Sequence, residues 1–206
     1  MREVASSADP VFFLSYAHSP NGRPVAKFFR DLSEMLAELV DLKAGAEPGF
    51  MDTSISGGGR WTGELLSAVG TCKVFVALLS MPYLTSEWCG MEWYAFAQRV
   101  IQARVGGSEH QTAIVPVIWA PLPAGVETPD AVSAIQRFAP EGLPDPEIAK
   151  LYQEEGVLGL TKVAKDAYEP VVWRLAQRVA DIAHSHVVEP RVLQHTDLRD
   201  IFREAP

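Results

Sequence analysis

The chain has 206 residues, of which 48% are hydrophobic and 21% are charged, and its formal net charge is −8. This size and composition fit one folded domain with a sizeable core and exclude disorder for most of the chain. The negative charge argues against non-specific binding to nucleic acid or to anionic membranes, although it leaves room for a local basic pocket.

The N-terminus and the cysteines indicate the cellular compartment. The stretch MREVASSADP lacks the apolar centre of a secretory signal, and the longest apolar run, VFVALLS, is far shorter than the ~18 residues that span a bilayer. We therefore expect a cytoplasmic location. Cys72 and Cys89 have no second Cys or His at metal-ligand spacing, so we expect two reduced core thiols rather than a disulfide or a metal site.

Strands and helices alternate along the first part of the chain. An apolar run over Val11–His18 ends in polar residues and predicts a buried parallel strand. Apolar residues at helical spacing from Val25 to Val40 predict a helix. A short strand at Pro48–Asp52, a glycine-rich loop and a helix from Trp61 to about Gly70 follow. The run Lys73–Ser80 is apolar on both faces and predicts a central strand.

The stretch TSEWCGMEW predicts the start of the next helix. Ser86 suits the N-cap and Glu87 the first turn, so we expect a helix from there to about Val100. On such a helix Trp88 and Glu92 share a face because they are four residues apart. An indole beside a carboxylate is suited to binding a flat cationic ring, since the face of the indole attracts positive charge. The alternative is a solvated Glu92 beside a Trp88 that covers the core.

The second half of the chain is less regular. Thr112–Pro121 predicts a strand, and Pro116 interrupts its donor pattern, which indicates an edge strand or a bulge. Residues 122–155 contain two short helix candidates. Gly156–Lys162 predicts a fifth short strand, and a last helix follows with Pro170 at its first position.

The alternation of strands and helices implies right-handed crossovers, and therefore a three-layer α/β fold with a parallel sheet and helices on both faces. Ligands in such sheets bind beyond the carboxyl ends of the strands. Polar residues at these ends are those of SYAH, Asp52 and Ser80. We divide the chain into a flexible N-terminus at 1–10, a domain at 11–186, and a tail or linker at 187–206.

Three boxes, FFLSYAH, GFMDTSISGGGRW and CKVFVALLSMPYLTSEWCGMEW, resemble the TIR (Toll/interleukin-1 receptor) domain family, and the nearest likeness is to bacterial TIR-like proteins of the FxsC type. The resemblance implies a five-stranded parallel sheet of flavodoxin-like order. It also places the strand that contains Pro116 inside the sheet rather than at its edge.

The resemblance implies cleavage of NAD at the bond between nicotinamide and ribose. Glu92 matches the catalytic glutamate of the family, and Trp88, in the same W-x-x-x-E spacing, would stack on the nicotinamide. Tyr16 and His18 match positions that line the nucleotide site, and Asp52 would bond a ribose hydroxyl. NAD is then the substrate, and no separate cofactor is expected.

Ordinary structural roles remain open for several of these residues. Tyr16 and His18 could simply be exposed at the surface, and Asp52 could cap the loop that follows it. Ser15 and Cys89 are interpreted as packing residues. These alternatives need no ligand.

The loop SISGGGRW is not a Walker A motif, because no Lys-Ser or Lys-Thr pair follows its glycines. The resemblance suggests a mobile loop, formed by Ser56, Gly57, Gly58 and Gly59, that closes on a ligand or docks on a neighbouring subunit. Three glycines fit mobility, and a plain turn is the alternative.

Two functions follow as hypotheses. The first is an NAD glycohydrolase that releases nicotinamide and leaves ADP-ribose or a cyclic isomer, in bacterial immunity or signalling. The second is a non-catalytic module that senses a nucleotide or acts through TIR–TIR contacts. Self-association is expected in both. A transferase acting on another N-glycoside is a weaker third possibility.

Overall fold

A computed structural model describes residues 9–18, 22–53, 62–104, 112–143 and 145–203. The regular elements in chain order are β1 (Phe12–Ser15), α1 (Arg23–Ala37), β2 (Gly49–Met51), α2 (Gly63–Thr71), β3 (Val74–Leu79), α3 (Met81–Leu84), α4 (Glu87–Ala97), β4 (Ile101–Ala103), β5 (Ile114–Ile118), α5 (Asp130–Ser133), α6 (Pro146–Val163), α7 (Lys165–Ser185) and β6 (His186–Val188). A one-turn 3-10 helix spans His195–Asp197.

The main sheet is parallel and runs in the order β2-β1-β3-β5. Helices α1 and α7 pack together on one face, and α2 and α4 pack together on the other. The predicted three-layer α/β fold with flavodoxin-like strand order is therefore confirmed. All six residues of β3 are buried, as expected for a strand covered on both faces.

The residues of β1 alternate between the two helical layers. Phe13 lies in register with Phe50 and Phe75, and its ring stacks on each of theirs at a centroid distance of 5.7 Å. Phe12 instead contacts Phe29 of α1 at 5.6 Å. Because neighbouring residues of a strand point to opposite faces, Ser15 shares the α4 side with Phe13.

The predicted fifth strand is wrong, because Gly156–Lys162 lies inside α6. Gly156 has a φ of 64°, and the two helical parts of α6 meet there at a kink. A Cβ at Gly156 would lie 2.7 Å from the carbonyl oxygen of Trp119, so the close approach requires glycine. A short apolar run fits a strand or a buried helix equally well, which explains the error.

Pro116 lies on an edge strand of the sheet that the described residues form. The outer side of β5 is covered by irregular chain and by α6. Phe138 N donates to the Pro116 carbonyl at 2.8 Å, and Ile118 N donates to the Tyr152 hydroxyl at 2.9 Å. The edge position predicted from the missing N–H of Pro116 is therefore confirmed. The internal position implied by the family resemblance is wrong for the described sheet.

The last helix begins earlier than predicted. It starts at Lys165, so Pro170 lies inside α7 and not at its first position. The proline removes one hydrogen bond of the second turn, close to the helix end where N–H groups lack helical partners in any case. None of the helices in the described ranges is long and apolar enough to cross a membrane.

The chain after α7 packs back on the domain. Strand β6 pairs antiparallel with β4, and Leu193 is buried. The ring of Phe202 lies 5.9 Å from that of Trp93 and 5.8 Å from that of Tyr83. The boundary between the domain and the tail at residue 187 stays a prediction. Residues 186–203 lie against α4 and its surroundings.

Arg99 joins this C-terminal segment to the rest of the fold. Its side chain is 5% exposed and donates to the carbonyls of Val69 at 3.0 Å and Cys72 at 2.6 Å. The same guanidinium donates to the carbonyls of Val188 at 3.4 Å and Glu189 at 3.1 Å. One buried cation thus connects the end of α2 with the chain after β6.

Candidate functional site

Helix α4 begins where the sequence predicts. The Ser86 hydroxyl accepts a hydrogen bond from Cys89 N at 3.3 Å, and Glu87 occupies the first turn. This N-cap sets the phase of the helix, so that Trp88 and Glu92 lie on one face. Phe75 of β3 packs against Trp93 and Phe96, which turns that part of α4 toward the sheet.

Glu92 is buried rather than solvated, since only 3% of its surface is exposed. Ser15 at the end of β1 donates to Oε2 of Glu92 at 2.5 Å. The indole N–H of Trp88 donates to the same carboxylate. The Tyr83 hydroxyl lies 2.9 Å from Ser15 Oγ and extends the network. The alternative of a solvated Glu92 is therefore wrong, and Ser15 orients a carboxylate in addition to packing.

The carboxylate lies in an unfavourable electrostatic environment. The pKa of Glu92 is raised to about 8, mainly by burial and to a smaller extent by the nearby charge of Asp52, against the lowering effect of the hydrogen bonds from Ser15 and Trp88. Among the described residues, no cation lowers the pKa of Glu92. A buried carboxyl without a positive partner is costly when ionised, and such groups are concentrated at functional sites.

The Tyr16 side chain forms its hydrogen bond outside the network of Glu92, Ser15 and Trp88. Its hydroxyl donates to the carbonyl oxygen of Asp52 at 2.6 Å, which links the ends of β1 and β2. Burial raises the pKa of Tyr16 to about 12, with the charges of Asp52 and Glu92 as further causes, so the hydroxyl remains a donor. The exposed ring of His18 stacks on Tyr16 at 4.9 Å.

A cavity of about 750 Å³ opens at the carboxyl ends of β1, β3 and β5, on the side of α1 and α6. Its lining includes Tyr16, His18, Ser80, Trp119, Leu158 and Lys162. Among the described residues, Glu92 and Trp88 do not line it. Successive side chains at the end of β1 point to opposite faces of the sheet, so Ser15 points to α4 while Tyr16 and His18 point to the cavity.

The candidate residues therefore form two groups connected by Asp52. Glu92 and Trp88 lie together with Ser15, while Tyr16 and His18 line the cavity. The predicted loop residues Ser56, Gly57, Gly58 and Gly59 lie outside the described part of the chain. No group of side chains suited to holding a metal ion is present in the described ranges.

Ser15 and Tyr83 were missed as site residues from the sequence. A signal for Ser15 exists, since it is two residues after Phe13 and must share the face of β1 that meets α4. Tyr83 had no such signal. It lies on the short helix α3, whose orientation depends on the Ser80 N-cap and on packing.

The family model of the TIR domain matches residues 12–139, from β1 to the chain after α5. That is more than half of the chain. The chain belongs to the TIR domain family. TIR domains include NAD-cleaving enzymes and scaffolds. The matched region contains Ser15, Trp88 and Glu92, whereas α6, α7 and the C-terminal segment lie outside it. No curated protein matches the chain.

Proposed function

We propose that this TIR domain is an NAD glycohydrolase. The observation that carries the proposal is the buried Glu92 carboxyl, held by Ser15 and Trp88, with no described cation beside it. The oxidised nicotinamide ring of NAD is a flat pyridinium cation. A pyridinium bound next to Glu92 supplies the missing positive charge and favours the ionised carboxylate.

The reaction then needs only one carboxylate. The bond between C1′ of the ribose and the pyridinium nitrogen breaks, and its electron pair leaves with nicotinamide as a neutral molecule. Glu92 stabilises the oxocarbenium-like C1′ that remains. Water adds to C1′ and loses a proton, which gives ADP-ribose. Addition of an adenine nitrogen instead of water gives a cyclic isomer.

The other residues have supporting roles in this proposal. Trp88 presents its ring to the nicotinamide and its N–H to Glu92, while Ser15 fixes the carboxylate from the side of β1. Tyr16 and His18 contact the nucleotide, and Asp52 contacts a ribose hydroxyl. These assignments follow the family resemblance and the positions of the residues at the carboxyl edge of the sheet.

Activity is expected to depend on self-association, and the role is in bacterial immunity or signalling. TIR domains commonly self-associate. The glycine-rich loop at 54–61 would contribute to TIR–TIR contact or close on the ligand. An assay of dilute protein would then underestimate turnover.

One observation favours the second candidate, a non-catalytic TIR module. Because Glu92 is 3% exposed and its pKa is about 8, at neutral pH the carboxyl is mostly protonated and hydrogen-bonded within the core. A neutral, buried side chain of this kind can be purely structural. In that case the chain would act through assembly or nucleotide sensing alone.

The decisive experiment compares nicotinamide release from NAD by wild type and Glu92→Gln at matched, high protein concentration. Loss of the charge should lower turnover by about 100- to 1,000-fold, as expected for removal of one electrostatic stabiliser of the transition state. Glu87→Gln is the matched control, because Glu87 is an exposed glutamate on the same helix. Circular dichroism checks the fold of each variant.

Equal rates for wild type and Glu92→Gln would remove Glu92 from the mechanism. Absence of turnover by wild type in the assembled state would favour the non-catalytic module. Chromatography of the products separates ADP-ribose from its cyclic isomers.

A further inference from the structure

Five cations surround one cavity on the face opposite to α4. This basic pocket has a volume of about 560 Å³, and its lining includes Arg23, Lys27, Arg30, Lys162 and Lys165. The whole chain has only 18 lysines and arginines and a net charge of −8. More than a quarter of its cations therefore lie around one cavity of an acidic protein.

Three helices bring these side chains together. Arg23, Lys27 and Arg30 lie on one face of α1, because they are four and then three residues apart. Lys162 lies in the last turn of α6, and Lys165 begins α7. The first turns of α1 and α7 line the pocket with their positive ends, and the last turn of α6 brings one negative end, so the side-chain cations supply most of the positive potential.

Acidic groups neutralise only part of this charge. Lys27 pairs with Asp31, whose carboxylate also accepts a hydrogen bond from the Tyr168 hydroxyl at 2.7 Å. The ammonium of Lys27 lies 4.7 Å from the centre of the Tyr168 ring. Within the described part of the chain, Glu169 is the one carboxylate that lines the pocket itself. Like charges around one cavity repel one another, and a bound polyanion would relieve that repulsion.

The pocket adjoins the cavity at the end of the sheet. The two cavities share Pro24 and Lys162, and the second contains Tyr16, His18 and Trp119 in a volume of about 750 Å³. A cavity of this size can hold a nucleobase and its sugar. A phosphate chain on the cations and a base among the aromatic side chains would fill both spaces.

We propose that the basic pocket binds a phosphoanhydride chain, supplied by a nucleoside triphosphate or by inorganic polyphosphate. Several cations around one cavity suit a linear polyanion because each phosphate can pair with a separate side chain. The basic pocket contains no residue of the Glu92 network, and phosphate binding there does not depend on NAD cleavage. The base of a bound nucleotide would occupy the cavity of Tyr16 and His18, so it would compete there with the nucleotide of NAD. Its ligand would be sensed rather than cleaved at Glu92.

Isothermal titration calorimetry of the full chain with ATP, tripolyphosphate and adenosine tests the proposal. ATP should bind, and raising the salt concentration should weaken its binding because the contacts are ionic. Adenosine should bind at least tenfold more weakly than ATP. Tripolyphosphate binding as tightly as ATP would identify the phosphate chain as the whole ligand, and tighter binding of ATP would identify a nucleotide.

The double variant Lys162→Gln/Lys165→Gln should weaken ATP binding by about tenfold or more, as two lost charge-assisted contacts predict. Lys43→Gln/Lys73→Gln is the matched control. It changes the net charge equally at two exposed lysines elsewhere and should stay within about twofold of wild type. Glu92→Gln should keep the affinity of wild type.

Three results would overturn the proposal. They are absence of saturable ATP binding to wild type, an equal loss in both lysine variants, and loss of ATP binding in Glu92→Gln. The last result would place ATP in the Glu92 site. None of these outcomes depends on whether the protein cleaves NAD.

Discussion

Glu92→Gln should change the dependence of stability on pH as well as activity. The folded-state pKa of Glu92, about 8, is above its ordinary value of 4.5. A carboxyl with a raised pKa favours the protonated form in the folded state. Its contribution to stability is complete below the unfolded-state pKa and is lost as pH rises through the folded-state pKa. Wild type should therefore lose stability between about pH 4.5 and pH 8 through this group.

The magnitude follows from the two pKa values. Each tenfold change in proton affinity is worth about 1.4 kcal/mol, so a rise from 4.5 to about 8 corresponds to at most about 5 kcal/mol of lost stability at alkaline pH. Relaxation of the site and entry of water reduce this, and we expect roughly 2–4 kcal/mol. Glutamine has the shape of the protonated carboxyl and carries no charge at any pH. The variant avoids this loss.

The assay is urea unfolding of wild type and Glu92→Gln, followed by circular dichroism at about pH 4, 7 and 9. The two proteins should have similar free energies of unfolding near pH 4, below the unfolded-state pKa, and the variant should be the more stable one at pH 9. Glu87→Gln controls for removal of one exposed charge from the same helix. A difference between wild type and Glu92→Gln that is the same at all three pH values would refute the argument from burial.

The remaining predictions concern Ser15 and Arg99. Ser15→Ala removes a hydrogen-bond donor that lowers the pKa of Glu92, so the rising limb of the pH profile of kcat/KM for NAD should move to higher pH. Activity at pH 7 should be about tenfold lower, because one charge-assisted hydrogen bond is lost. An unchanged pH profile would show that this hydrogen bond has no effect on catalysis. Arg99→Met removes one donor from each of four backbone carbonyls and should lower the free energy of unfolding by about 3 kcal/mol in urea. Arg104→Met, at an exposed arginine, should cost less than about 0.5 kcal/mol. Equal losses in the two arginine variants would contradict the role given to Arg99.

Local signals predicted the elements that support the site. The N-cap at Ser86 set the start of α4, and the uniformly apolar run around Val76 identified the central strand. These predictions succeed because a cap and a buried strand depend on residues close together in the sequence. The spacing of Trp88 and Glu92 then placed both residues on one face without further information.

The errors arise where distant parts of the chain decide the outcome. The kink of α6 lies at Gly156, where the carbonyl of Trp119 approaches closely, and no local sequence pattern predicts that contact. The burial of Glu92 depends on β1 and on α3, which provide Ser15 and Tyr83. A glutamate side chain is ordinarily exposed, so the residue type alone favours the wrong environment for Glu92.

The burial of Glu92 has a consequence for how the proposed reaction would begin. In the free protein at neutral pH, the carboxyl is mostly neutral because its pKa is about 8. A pyridinium in contact with it lowers that pKa, so binding of NAD and ionisation of Glu92 are linked. The catalytic charge would then form only when the cationic substrate is present. The pH profile of kcat/KM reports the free protein, so its rising limb should lie near pH 8. The pH profile of kcat reports the complex with NAD, so its rising limb should lie at lower pH. A scaffold with a structural Glu92 has no reason to couple these two events.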